Sequence, residues 1–143
     1  MASLYPIMNK TKITHTILPA AISGTTTGLT IDTLGFDGVG LVFTVGTVTT
    51  ADGAGNHFVL SFEHGNKSDM TDAATAANNI TAIQGTLANM KIAATTGDEV
   101  TYTWDYTGDK RYIRAKLTET GTALGNFAAY VVLSTPRVAP VSN

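Results

Sequence analysis

The chain has 143 residues, nine Lys and Arg against eleven Asp and Glu, a net charge of −2 and no cysteine. That length suits one domain, and the lack of cysteine excludes disulfides, thiolate metal sites and cysteine nucleophiles together. Threonine numbers 25 and glycine 14, while charged residues make up only 14%; this argues against a helical bundle, a coiled coil or a charged disordered tail, and leaves few polar groups for catalysis.

The first residues hold no basic stretch leading into an apolar run, so no signal peptide is expected. Residues 1–11 read as an extended arm, because Leu4, Tyr5, Ile7 and Met8 are odd choices for a solvated tail. The domain is expected over 12–135, with a Pro-bearing tail over 136–143. From Lys12 to Leu18, Ile13 and Ile17 alternate with polar neighbours, and Leu29 to Asp32 is a second short run. Gly40 to Val48 is apolar on both faces, which suits a strand buried on both sides, or mainly covered. Phe58, Leu60 and Phe62 alternate with Val59, Ser61 and Glu63. Ser68 to Asp72 offers helix caps ahead of an Ala-rich run to Ala77, so a helical turn or two is expected there. Val100, Tyr102, Trp104 and Tyr106 give the cleanest period-two signal, followed by Ile113, Ala115 and Leu117, then Phe127, Ala129, Val131 and Leu133. Asp/Gly pairs and Gly-rich stretches separate these runs. The pattern predicts an all-β antiparallel sandwich, jelly-roll-like, as a single domain with an extended N-terminal arm.

Candidate chemistry is sparse. His15, His57 and His64 are the only histidines; the spacing of the last two puts them on opposite faces of one strand, as exposed strand-end residues rather than a zinc site. No serine sits in a G-x-S-x-G elbow, and no phosphate loop, dinucleotide fingerprint or H-E-x-x-H occurs. Asp52, Asp98, Asp105 and Asp109 lie in or near turns, without EF-hand spacing. No catalytic residue, cofactor site or metal site is expected. Trp104 with Tyr102 and Tyr106 makes core if its strand faces inward, and a carbohydrate platform if it faces out. Lys110, Arg111, Arg114 and Lys116 crowd one segment, with Arg114 and Lys116 on the face of Tyr112. A solvated sheet face suits them better than nucleic acid, which calls for a wider basic field. The most apolar stretch is too short to span a bilayer, so no membrane partner is expected.

Several segments in order resemble one family. They are Phe43-Thr44-Val45-Gly46; Phe58 to His64 with the polar turn Gly65 to Asp69; Tyr106 to Arg114; Ala128 to Leu133; and Pro136 to Val141. Over roughly residues 36 to 141 the chain resembles small virion proteins of tailed bacteriophages. It departs from them where the polar turn leads into the Ala/Thr-rich stretch around Ala73 instead of an aromatic strand. The resemblance implies a non-enzymatic capsid decoration (cement) protein, bound to the outer surface of the shell and stabilising it. Its implied partners are the major capsid protein and its own copies as a homotrimer, and its implied place is the virion surface, after assembly in the host bacterial cytoplasm. Leu4, Tyr5, Ile7 and Met8 of the arm, with Arg111, Arg114, Lys116 and Arg137, are the expected partner-binding residues. A neck or tail component, and a carbohydrate-binding β-sandwich, are the competing readings.

Overall fold

Apolar and β-branched residues alternating with polar ones favour half-buried strands, and strands take up most of the chain. A computed structural model describes residues 10–49, 51, 55–84, 90–93 and 99–137. Its strands are β1 (Thr11–Ile22), β2 (Thr26–Thr27), β3 (Ile31–Asp32), β4 (Phe36–Val48), β5 (His57–Gly65), β6 (Ala74–Thr75), β7 (Ile80–Gln84), β8 (Met90–Ile92), β9 (Val100–Tyr106), β10 (Tyr112–Thr120) and β11 (Gly125–Pro136).

These form two antiparallel sheets. The first runs β1-β11-β4-β9-β7; the second runs β2-β10-β5-β6, with β3 also on β10 and β8 also on β5. Counting β2 with β3 and β6 with β8 as two interrupted strands, and leaving β7 as an added edge, the order is that of a jelly roll. The all-β sandwich expected from the alternation is therefore what the chain adopts.

Alternation decides which side chains meet between the sheets. Leu41, Phe43 and Val45 of β4 face Phe58, Leu60 and Phe62 of β5 across a core that also takes Trp104, Ile113, Leu117, Phe127 and Val131. Phe127 anchors it, stacked on Phe43 at 5.8 Å and edge-on to Phe58 at 4.9 Å between ring centroids. Phe62 meets Trp104 edge-on at 5.8 Å. Side chains of this size each contribute about 1.5–3 kcal/mol on burial.

Three expectations need correcting. The helical turns expected over Ser68 to Ala77 do not form. Asp69 and Asp72 spend their carboxylates on the backbone N–H groups of Thr71, Asn66 and Lys67, Met70 takes φ +56°, and Ala76 N–H donates to Phe62 C=O at the sheet edge. Only Ala77–Asn79 makes a single 3-10 turn. Side chains of this type compete for local backbone groups and favour turns over helix. Second, β4 is not covered on both faces: Leu41, Phe43 and Val45 are buried, but Val42, Thr44 and Gly46 between them are only half-buried. Third, His64 is not an exposed strand-end residue; it faces the interior at 7% exposure.

Candidate functional site

The eight predicted partner-binding residues fall into three groups. Leu4, Tyr5, Ile7 and Met8 lie outside the described residues, as do Asp52 and Asp98. Arg111 and Arg137 come together, although they sit on different strand ends. The chain enters β4 and leaves β11 at the same end of the sandwich, where Pro136 pairs with Phe36 and Arg137 N–H donates to Gly35 C=O. There Arg111 and Arg137 line one cleft of about 320 Å³ with Leu34, Phe36, Tyr106 and Lys110.

Both arginines arrive already paired. Arg111 grips Asp32 through two bonds, Nε to Oδ1 at 2.9 Å and Nη2 to Oδ2 at 2.7 Å, and lies over the Tyr112 ring at 5.0 Å. The bond from Arg111 is the main reason the Asp32 carboxyl titrates below its ordinary value. Arg137 Nε donates to Asp37 Oδ1 at 2.9 Å. These pairs are exposed, so water screens them; they orient the guanidinium groups more than they hold the fold.

Arg114 and Lys116 sit elsewhere, on the outer face of the second sheet, since Ile113, Ala115 and Leu117 between them point inward. Both reach Glu63 across the β10–β5 pairing, at 2.7 Å and 3.2 Å. Burial pushes the Glu63 carboxyl up, but the hydrogen bonds from Arg114 and Lys116 outweigh it and leave the group below its ordinary value. The result is a compact ionic cluster with one cation in excess.

The aromatic trio faces inward. Trp104 is 1% exposed and Tyr106 is 9% exposed, and Tyr102 is partly buried beside them, so Trp104 offers no platform to a sugar. Tyr106 instead holds a cross-sheet bond: its hydroxyl lies 2.8 Å from His64 Nδ1 and accepts from Lys110 N–H at 3.1 Å. The phenol carries one donor and two acceptor sites, so it can serve His64 and the Lys110 N–H at once. Gly108 permits this contact, since a side chain there would collide with the Tyr106 phenol. Burial lowers the His64 pKa and raises that of Tyr106. Among the described residues no group of three or more His, Cys, Asp or Glu converges as for a metal, and no helix is long and apolar enough to cross a membrane.

The sequence reading missed an apolar groove of about 290 Å³ beside β1, lined by Ile17, Leu18, Ile22, Gly28 and Leu29 among others. Leu18 is 60% exposed and Leu29 is 62% exposed. A bulge makes it. The register slips between His15 and Ile17, and the extra residue, Thr16, turns toward the second sheet. Its Oγ1 donates to Leu29 C=O at 2.8 Å and accepts from Ala115 N–H at 3.0 Å. Gly28 is required opposite it, because a side chain there would strike Thr16. Pro19 was the available signal, since proline within a strand marks an edge.

No protein-family model matches this chain, and no curated protein matches it.

Proposed function

We propose that the protein is a non-enzymatic structural component of a tailed-phage virion that docks on the outer surface of the capsid and stabilises the shell. The major capsid protein is its partner, and the particle surface is its place, reached by assembly in the host cytoplasm. The observation that carries this reading is the apolar groove along β1, where two leucines stand more than half exposed on one line of the surface. Exposed apolar side chains gathered on one surface favour a protein partner. The groove belongs to the strand that follows the apolar segment from Leu4 to Met8, so arm and groove can engage one shell together. The jelly-roll order supports the reading at the level of the fold alone, since viral capsid and lectin domains share it. A surface spread over many repeated sites can be individually weak and collectively strong, and a shell pressed outward by packed DNA gains from such added area.

The test is co-sedimentation with capsids lacking the protein. The wild-type chain is expected to saturate them at hundreds of copies per particle, in proportion to the repeating lattice. Leu18→Glu with Leu29→Glu should keep the circular dichroism of the wild type and lose at least ten-fold in occupancy. Removing residues 2–10 should likewise weaken binding without unfolding the domain. Undiminished occupancy by both variants would sink the proposal, and six or twelve copies per particle would move the protein to a neck ring.

A further inference from the structure

The sequence of β4 reads as a strand covered on both sides, or mainly so, and among the described residues no element lies over one of its sides. On the outer face of the first sheet, β4 presents Gly40, Val42 and Thr44, while its neighbour β11 presents Val132 and Tyr130 in register with Gly40 and Val42. On the flanks, β1 adds Ile13 and His15, and β9 adds Thr103 and Asp105, in the same two rows. An exposed sheet face is usually polar and charged. Here, along those two rows, Asp105 is the one residue among Asp, Glu, Lys and Arg, and Ile13 is 51% exposed.

Gly40 is the telling position. It lies mid-strand with partners on both sides, it needs no left-handed backbone, and an added Cβ would find its nearest neighbour, Val132 Cβ, at an ordinary 3.5 Å. Nothing among the described residues requires glycine there, and glycine weakens a strand interior. Where it occurs regardless, another backbone or surface often approaches closely. The result is a trough along β4 beside a ridge along β11, the ridge stiffened by the contact of Tyr130 with His15 at 4.7 Å between rings.

We propose that this face is a self-association surface, on which a second copy of the chain packs face to face about a two-fold axis. An axis in the contact plane, running along the strands between β11 and β4, exchanges those two strands. It sets Val132 of each copy over Gly40 of the other, and Tyr130 over Val42, so ridge fills trough twice. The same axis sets Ile13 of one copy over Asp105 of the other and His15 over Thr103, so the two Asp105 carboxylates stay apart. A face four strands wide at about 4.8 Å spacing and about seven residues long at about 3.4 Å each offers roughly 450 Å², or roughly 900 Å² over both copies, just under the roughly 1,000 Å² of a specific contact. This contact does not depend on the shell-binding reading.

Light scattering coupled to size exclusion tests it on the full chain. The wild type should weigh twice the 14.9 kDa of one chain and dissociate on dilution. Gly40→Arg, whose Cβ meets only ordinary contacts, should weaken association at least ten-fold while keeping the wild-type circular dichroism. Val132→Glu tests the ridge by a second route should Gly40→Arg fail to fold. A wild type that stays monomeric at high concentration, a mass of three chains as the phage resemblance implies, or a dimer that survives whichever of the two variants folds would overturn the proposal.

Discussion

His64 Nδ1 and the Tyr106 hydroxyl meet at 2.8 Å in the interior, one supplied by each sheet. The bond is one of two side-chain ties described between the layers, the other being Thr16 with Ala115, and it ends on the backbone N–H of Lys110. Tyr106→Phe strands both His64 Nδ1 and that N–H. A loss of about 1–3 kcal/mol is expected, as for any buried group left without its partner, read as a lower midpoint in urea at unchanged slope. Unchanged stability would mean that water replaces the phenol at no cost.

Acid should act in two stages. Burial holds the folded His64 pKa below its ordinary 6.5, so between those values the unfolded chain binds more protons. Stability should therefore fall as pH drops below about 6.5, then level off once the folded pKa is passed. Asp32 and Glu63 also titrate below their ordinary values when folded. Their stabilisation is present above the unfolded carboxylate range, near 4, and is lost as pH falls through the folded values. Melting temperature against pH should show both steps, and His64→Gln should remove the upper one alone.

Thr16 joins β1 to Leu29 and Ala115 through a single hydroxyl. Thr16→Val keeps the shape and removes both bonds, leaving a buried donor and a carbonyl unpaired. The expected cost is about 1–3 kcal/mol, with hydrogen exchange at Gly28 and Leu29 accelerated more than in the core. Thr16→Ser should recover most of the loss.

Two ionic sites should respond differently to neutralisation. Glu63 has 14% side-chain exposure and two cations on it, so Glu63→Gln should cost about 1 kcal/mol, the screening of its partly exposed partners holding the figure down. Asp37→Asn, at 54% exposure and facing one arginine, should leave the denaturation midpoint unchanged. Equal effects would mean that the cluster on Glu63 is no stronger than an ordinary surface pair.

Much of the fold was legible because period-two alternation carries its own meaning: Phe58, Leu60 and Phe62 point one way, and so do Tyr102, Trp104 and Tyr106. What alternation does not contain is pairing. Arg111 finds Asp32 seventy-nine positions away, and nothing local to either announces it. The bulge at Thr16 hid the groove for a related reason. An extra residue shifts every following side chain by one place, so Ile13 and Ile17, which read as one face, end on opposite faces, Ile13 51% exposed and Ile17 buried. The helix misjudged near Ala73 failed because two aspartates served neighbouring turns, and composition cannot tell a helix cap from an Asx turn.

The pairing of β1 with β11 sets the order in which the molecule can form. Thr11 to Ile22 must wait for Gly125 to Pro136 before it finds a strand to pair with, and β11 in turn links β1 to β4. During synthesis the earliest strand therefore stays unpaired until about a hundred residues more have left the ribosome. Pairings this distant slow folding, because the loop must close before any contact repays it. The first sheet should then be the last part to acquire protection in a pulse-labelling experiment, with the β5–β10 pair protected ahead of it.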